Sequence, residues 1–116
     1  MIKFEITNKT LRIICNHGTP IDVPFQWPIA EVVQFGDLCV VRTQRIIGAC
    51  DNQNVCAVDQ NGRRVWIVTP RKHVYDDSPY TRIMSDGGML RLFNWDGLNV
   101  VVDTASWREV SAEYRK

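Results

Sequence analysis

Val55-Cys56-Ala57-Val58-Asp59-Gln60-Asn61-Gly62-Arg63-Arg64-Val65-Trp66-Ile67-Val68 sets the architecture of this chain. Two short apolar runs flank a polar link, and the Asn-Gly pair inside it tolerates the positive φ that tight hairpin turns require. The stretch predicts a β-hairpin. Pro70 ends it, because a proline cannot donate to a ladder.

The same alternation of apolar run and turn signal continues on both sides. Downstream, Tyr80 to Met84, the turn Ser85-Asp86-Gly87-Gly88, Met89 to Trp95, the turn Asp96-Gly97 and Leu98 to Asp103 read as a three-stranded meander. Upstream, Ile29 to Gln34 and Leu38 to Arg42 are joined through Phe35-Gly36-Asp37, and Ile2 to Ile6 pairs with Leu11 to Cys15 across Thr7-Asn8-Lys9. Ile21 to Trp27 also alternates, but Pro24 within it confines it to a sheet edge. Thr43 to Asn54 is less regular, and Arg71 to Pro79 is a polar, proline-bounded loop.

The last segment fits two readings. Ser106 and Glu109 have capping-box spacing, and Trp107, Val110 and Tyr114 fall on one helical face, which makes a short C-terminal helix. A strand over Trp107 to Ser111 would instead complete the meander, and the strand is favoured. The expected fold is therefore all-β, a single domain over 1–116 of antiparallel hairpins forming a sandwich or a partial propeller-like stack.

Leu38-Cys39-Val40-Val41, Val55-Cys56-Ala57-Val58, Val65-Trp66-Ile67-Val68 and Val100-Val101-Val102 are apolar at consecutive positions, although successive strand side chains point to opposite faces. Both faces of these strands then need cover. A long loop or terminal helix, a homodimer and a different protein are the three candidates.

Composition excludes several function classes. Fourteen basic and thirteen acidic residues leave a net charge of +1, too little for a global field that draws in nucleic acid or an anionic membrane. The start, Met1-Ile2-Lys3-Phe4-Glu5, lacks the unbroken apolar stretch of a secretory signal. No run approaches the roughly 18 apolar residues of a membrane span, and the expected location is cytoplasmic. Cys15, Cys39, Cys50 and Cys56 form no CxxC pair and read as reduced thiols, although Cys50 and Cys56 flank a short loop. Adding His17 and His73 gives no zinc spacing, so neither metal nor cofactor is expected.

Three groups of residues are site candidates. The loop Arg71-Lys72-His73-Val74-Tyr75-Asp76-Asp77-Ser78-Pro79-Tyr80 and the tip Asn94-Trp95-Asp96-Gly97 offer Tyr75, Tyr80 and Trp95 as contact anchors, with Asp76, Asp77 and Asp96 facing a basic partner. Trp95 lying back into the core is the favoured alternative for that side chain. Residues 42 to 72 carry Arg42, Arg45, Arg63, Arg64, Arg71 and Lys72 against Asp51 and Asp59, and a small-ligand or RNA-binding module would use Arg63, Arg64, Arg71 and Lys72. An enzyme would need His73 working with Asp76 or Asp77, a weak arrangement because adjacent carboxylates do not flank a substrate.

Two resemblances bear on this. Asn54-Val55-Cys56-Ala57-Val58-Asp59 with its turn and Val65-Trp66 parallels Leu98-Asn99-Val100-Val101-Val102-Asp103 with its turn and Val110, at an Asp59-to-Asp103 offset of 44 residues. Both resemble one blade unit of quinoprotein-type or other β-propeller repeats, in which an apolar strand ends in Asp, turns through polar residues and returns toward a Trp, and turn amides as donors to Asp59 and Asp103 explain these residues structurally. With His73 to Tyr80 and Leu90 to Gly97, residues 29 to 110 resemble small bacterial proteins in which propeller-like hairpins precede an aromatic, acidic loop and an Asn-Trp-Asp-Gly tip. That resemblance implies a non-catalytic protein-binding module, a bacterial immunity protein whose partner is a toxin domain, or one that self-associates as a homodimer.

Overall fold

The computed structural model describes residues 3–15, 18–72 and 76–114. They form eleven strands: β1 (Lys3–Thr7), β2 (Thr10–Ile14), β3 (Ile21–Pro24), β4 (Ile29–Phe35), β5 (Leu38–Thr43), β6 (Val55–Val58), β7 (Arg64–Ile67), β8 (Tyr80–Asp86), β9 (Met89–Asn94), β10 (Leu98–Asp103) and β11 (Arg108–Tyr114). Three antiparallel meanders result, an N-terminal sheet β1-β2-β3, a central sheet β4-β5-β6-β7 and a C-terminal sheet β8-β9-β10-β11. The fold is all-β, as the turn pattern predicts. Pro24 sits on β3, an edge strand that stops there rather than at Trp27.

The three sheets stack, and alternation along β5 and β6 shows why. Val40, Val55 and Ala57 point toward the C-terminal sheet, where they meet Ile83, Leu90, Leu92, Val100 and Val102. Cys39, Val41, Cys56 and Val58 point the other way, onto Leu11, Ile13 and Val23 of the N-terminal sheet. The cover for the second face is thus none of the three sequence-based candidates. It is a further sheet built from the chain's own first strands.

Two polar devices fix the layers. Asn8, at φ 49 in the β1–β2 turn, accepts from the Ile29 amide at 2.8 Å, while the Lys9 carbonyl takes the Phe25 amide at 2.8 Å, docking the link between the first two sheets. Glu31 on β4 accepts from Arg42 Nε at 2.5 Å and from the Ile83 amide of β8 at 3.0 Å. That amide belongs to an edge strand and lies just past a register shift between Tyr80 and Arg82, so the carboxylate fills a ladder vacancy and joins central to C-terminal sheet.

The short C-terminal helix is corrected to a strand. Trp107 takes φ 58, which no α-helix accommodates, and its ring stacks on Trp66 with centroids 5.0 Å apart. Glu109, the expected capping partner of Ser106, instead pairs with Arg71, and β11 runs antiparallel to β10 with a register shift between Val101 and Val102. The two Asp-turn units share a place in their sheets and an Asp that accepts from turn amides. β6 and β10 are each the third strand of a four-stranded meander, Asp59 Oδ1 accepts from the Asn61 and Arg63 amides, and Asp103 Oδ1 accepts from the Ala105 amide, all at 2.9 Å.

Gly62 of the Asn-Gly turn does more than turn the chain. At φ +81 its position is left-handed, and a Cβ there would lie 2.7 Å from Ile21 Cγ2 and 3.3 Å from Val23 Cγ2. Gly62→Ala is therefore expected to strain the turn and push the N-terminal sheet off the central one, costing about 1–3 kcal/mol. Urea unfolding measures it, with Gly36→Ala, whose Cβ would meet nothing within 4 Å at φ +57, as the comparison that carries backbone strain alone.

Candidate functional site: a clamped loop and an exposed hairpin tip

The connection between β7 and β8 crosses from one sheet to the next, and beyond Val68, whose amide still donates to the Val55 carbonyl at 3.0 Å, its backbone polar groups need partners outside a ladder. Three asparagine side chains act as that partner. Asn54 Oδ1 accepts from the Tyr80 amide at 2.9 Å while its Nδ2 donates to the carbonyls of Tyr80 and Thr43 at 2.9 and 2.8 Å, and the residue is buried. Two positions earlier, Asn52 accepts from the Ser78 amide at 2.8 Å and donates to the Asp76 carbonyl at 2.6 Å. From the far side, Asn94 Nδ2 donates to the Ser78 carbonyl at 2.8 Å. Each amide side chain imitates a strand's N–H and C=O, so residues 76 to 80 are hydrogen-bonded almost as if they lay in a sheet.

The clamp brings two of the predicted segments together. The Trp95 amide donates to the Pro79 carbonyl at 2.9 Å, which sets the β9–β10 turn beside the Asp76–Tyr80 segment at one end of the C-terminal sheet. The turn is closed from within: Asn94 Oδ1 takes the Asp96 amide at 3.1 Å, Asp96 Oδ1 takes the Leu98 amide at 3.0 Å, and Gly97 N–H reaches the Asn94 carbonyl at 3.0 Å. Tyr114 donates its hydroxyl to Asp96 Oδ2 at 3.2 Å. On this braced turn Trp95 is 57% exposed, so its reading as core is corrected: the backbone is fixed by Pro79 and the indole is left outside.

The other predicted anchors fare differently. Tyr80 is 1% exposed and belongs to the core between the central and C-terminal sheets, so it is not a contact anchor; burial pushes its hydroxyl up to about 12 against the opposing pull of Arg71. Asp76 is exposed and Asp77 forms an ion pair with Arg45 at 2.6 Å, which raises that guanidinium's pKa. Asp96 is partly buried in its own turn. Tyr75 and His73 lie outside the described residues, as does His17.

The basic stretch is largely neutralised by carboxylates from elsewhere in the chain. Arg42 pairs with Glu31, Arg45 with Asp77 and Arg71 with Glu109, the last pair holding the loop to β11 and raising the Arg71 pKa. Arg64 donates to the Pro24 carbonyl at 2.5 Å and lies 4.7 Å over the Phe25 ring. Arg63 gives its backbone amide to Asp59, and Lys72 is exposed.

A cleft that the sequence did not reveal opens beside Arg64. It encloses about 200 Å³ between the Phe25–Trp27 link and the outer part of β5–β7, with Thr43, Gln53 and Cys56 in its wall. Its size falls below the roughly 300 Å³ at which ligand pockets begin. Much of its polar chemistry is also engaged: Gln53 Nε2 donates to the Val68 carbonyl at 3.0 Å and Asn54 holds Tyr80. Burial pushes the Cys56 thiol up to about 11, with Arg64 opposing, so it stays protonated and unreactive near neutral pH. Among the described residues no cluster of metal-ligating side chains occurs.

The alternating Asn52 and Asn54 were legible only as turn residues, because their partners lie 24 to 26 positions away. Asn54→Ala is expected to cost about 2–4 kcal/mol in chemical denaturation, since it orphans the buried amide and carbonyl of Tyr80. A second expectation concerns alkaline pH. Cys39 and Cys56 are both pushed from 9.0 to about 11 by burial, and Tyr80 from 10.0 to about 12. In each case the unfolded chain ionises first and binds fewer protons, so stability is intact below pH 9 and falls as pH rises toward 12. Denaturation midpoints followed from pH 7 upward test this, and Cys39→Ala or Cys56→Ala should flatten the decline between 9.0 and about 11.

No curated protein matches the chain. A family model described as a domain of unknown function (DUF7957) matches residues 1–114, nearly the whole length over which the stacked sheets and the clamped loop are built, and the chain belongs to that family.

Proposed function

We propose that the protein is a non-catalytic protein-binding module that seats its partner on the end of the C-terminal sheet formed by the Asp76–Pro79 segment and the Trp95 tip. The observation that carries this reading is the exposed indole on a braced turn. A large aromatic whose backbone is already held by Pro79, Asn94 and Asp96 loses little freedom on binding, and it contributes a broad amphipathic contact. Tyr114 is 49% exposed and bonded to Asp96 of the same turn, so it extends the aromatic surface.

The charge around the tip is acidic, with Asp76 exposed and Asp77 only half shielded beside Arg45. Such a rim favours a partner with a basic surface and acts mainly on association rate and orientation. In the class suggested by the resemblance above, a bacterial immunity protein of the cytoplasm, that partner is a toxin domain carrying a basic substrate-binding face.

The test uses the full chain as an affinity bait in its native cell, followed by binding measurements with the purified partner. Trp95→Ala is expected to weaken binding roughly 30- to 100-fold, and Asp76→Lys to slow association several-fold, while both variants melt within about 1 kcal/mol of the parent. A partner whose affinity is unchanged in both variants overturns the placement of the site. A partner that turns out to be RNA, bound in a salt-sensitive way and lost when Arg63 and Arg64 are neutralised, overturns the protein-binding reading itself.

A further inference from the structure

The two ends of the sheet stack are finished differently. Cα partners in the ladders place Glu5, Arg12 and Asp22 in one row on the outer face of the N-terminal sheet, with Thr7, Thr10 and Pro24 in the next. Arg12 bonds both Asp22 oxygens, at 2.8 and 3.1 Å. That face is an ionic, solvated cap of the kind terminal units of stacked arrays carry. The outer face of the C-terminal sheet carries a comparable pair, Arg91 Nε to Asp86 Oδ2 at 2.8 Å, but has apolar side chains between its charges. Its middle holds Met84, Met89, Phe93 and Val101, all half-buried and belonging to neither hydrophobic cluster, with Arg82 lying 5.8 Å over the Phe93 ring.

The charges on this face have a pattern. The registers give three rows running from β8 across β9 and β10 to β11: Arg82, Phe93, Asn99, Glu113; then Met84, Arg91, Val101, Ser111; then Asp86, Met89, Asp103, Arg108. A two-fold axis lying in the interface, parallel to the strands and midway between β9 and β10, sets β8 of one copy over β11 of the other while keeping each row. Arg82 then meets Glu113 and Asp86 meets Arg108, each twice, and no like charges come opposite. A two-fold axis across the strands would instead set Arg91 against its own copy.

We infer that the outer face of the C-terminal sheet is a homodimer interface closed by the axis parallel to the strands, a surface separate from the Trp95 tip. Four strands about 4.8 Å apart and six residues of about 3.3 Å each give a face of roughly 400 Å² per copy. The two copies together then bury roughly 800 Å², below the ~1,000 Å² that a stable interface clears, so dimerisation is weak and transient, with a dissociation constant of roughly 100 micromolar or above. Packing of two twisted sheets at about 30° preserves the row pairing near the axis and lets the long Arg and Glu side chains reach across at the edges.

Sedimentation equilibrium over a concentration series, on the full chain, tests the assignment. The parent is expected to move from one to two chain masses as concentration rises. Arg82→Glu alone and Glu113→Arg alone should each weaken association roughly tenfold or more, by setting like charges together twice in the dimer. The double variant carrying both changes should restore association to near the parent level. Near-UV circular dichroism confirms that each variant keeps its fold. A parent that stays monomeric at its highest soluble concentration overturns the inference, and so does a dimer that neither single change weakens. A double variant that is weaker still points to the axis across the strands, where the swap would place Arg82→Glu against Asp86, and this also overturns it. Because Trp95→Ala leaves these rows untouched, loss of dimerisation and loss of partner binding are separately measurable.

Discussion

Strands β5 and β6 have no side that tolerates water. Cys39, Val40, Val41, Val55, Ala57 and Val58 are all fully buried, which for neighbouring residues on a strand means burial on opposite faces. A two-layer sandwich leaves one face of each sheet outside, so this constraint forces a third layer. Strands β1 to β3 supply it on one side and β8 to β11 on the other. The remaining architectural details serve the same end. A glycine stands where the N-terminal sheet comes closest to the β6–β7 turn, and a glutamate bridges the two larger sheets at their shared edge.

The cost of three stacked layers is a chain that must cross between them, and each crossing carries backbone groups out of reach of a ladder. Across the shorter crossing, at Phe25 to Ile29, the β1–β2 turn offers its own carbonyls. Across the longer one, asparagine side chains take over. This accounts for the asparagines at 52, 54 and 94, whose side chains meet the loop before β8.

Much of the fold was legible because hairpin chemistry is local. Asn61-Gly62, Asp86-Gly87 and Asp96-Gly97 join β6 to β7, β8 to β9 and β9 to β10, and Asn8 and Gly36 turn the chain between β1 and β2 and between β4 and β5. The C-terminal segment was ambiguous for a physical reason: Ser106 and Glu109 have the spacing of a helix cap, and only the stacking of Trp107 on Trp66 and the pull of Arg71 on Glu109, both long-range, decide for the strand. The site was less legible. Loop position suggested Tyr80 as an anchor, and core packing was favoured for Trp95, yet Tyr80 is the core residue and Trp95 is exposed, because the first begins a strand whose inner face is covered and the second caps a turn. The surplus of arginines between residues 42 and 72 was real in sequence and is reduced in space, where Glu31, Asp77 and Glu109 pair with Arg42, Arg45 and Arg71.

The sheets follow one another in the chain, β1 to β3, β4 to β7 and β8 to β11, and among the described residues one hydrophobic cluster joins the first to the second and another the second to the third. Energetically the protein is a three-unit linear array in which the end units depend on the middle one and not on each other. The N-terminal sheet is the smaller end unit, and it can lift off as a foldon while the β4–β11 body persists. Its departure would bare Cys39, Val41, Cys56 and Val58 together, turning two inert thiols and a flat aliphatic surface into a sticky, oxidisable face. The hairpin turn of Asn8 and Lys9, by holding the link at Phe25 and Ile29, thus works as a latch against aggregation as much as a contributor to the fold.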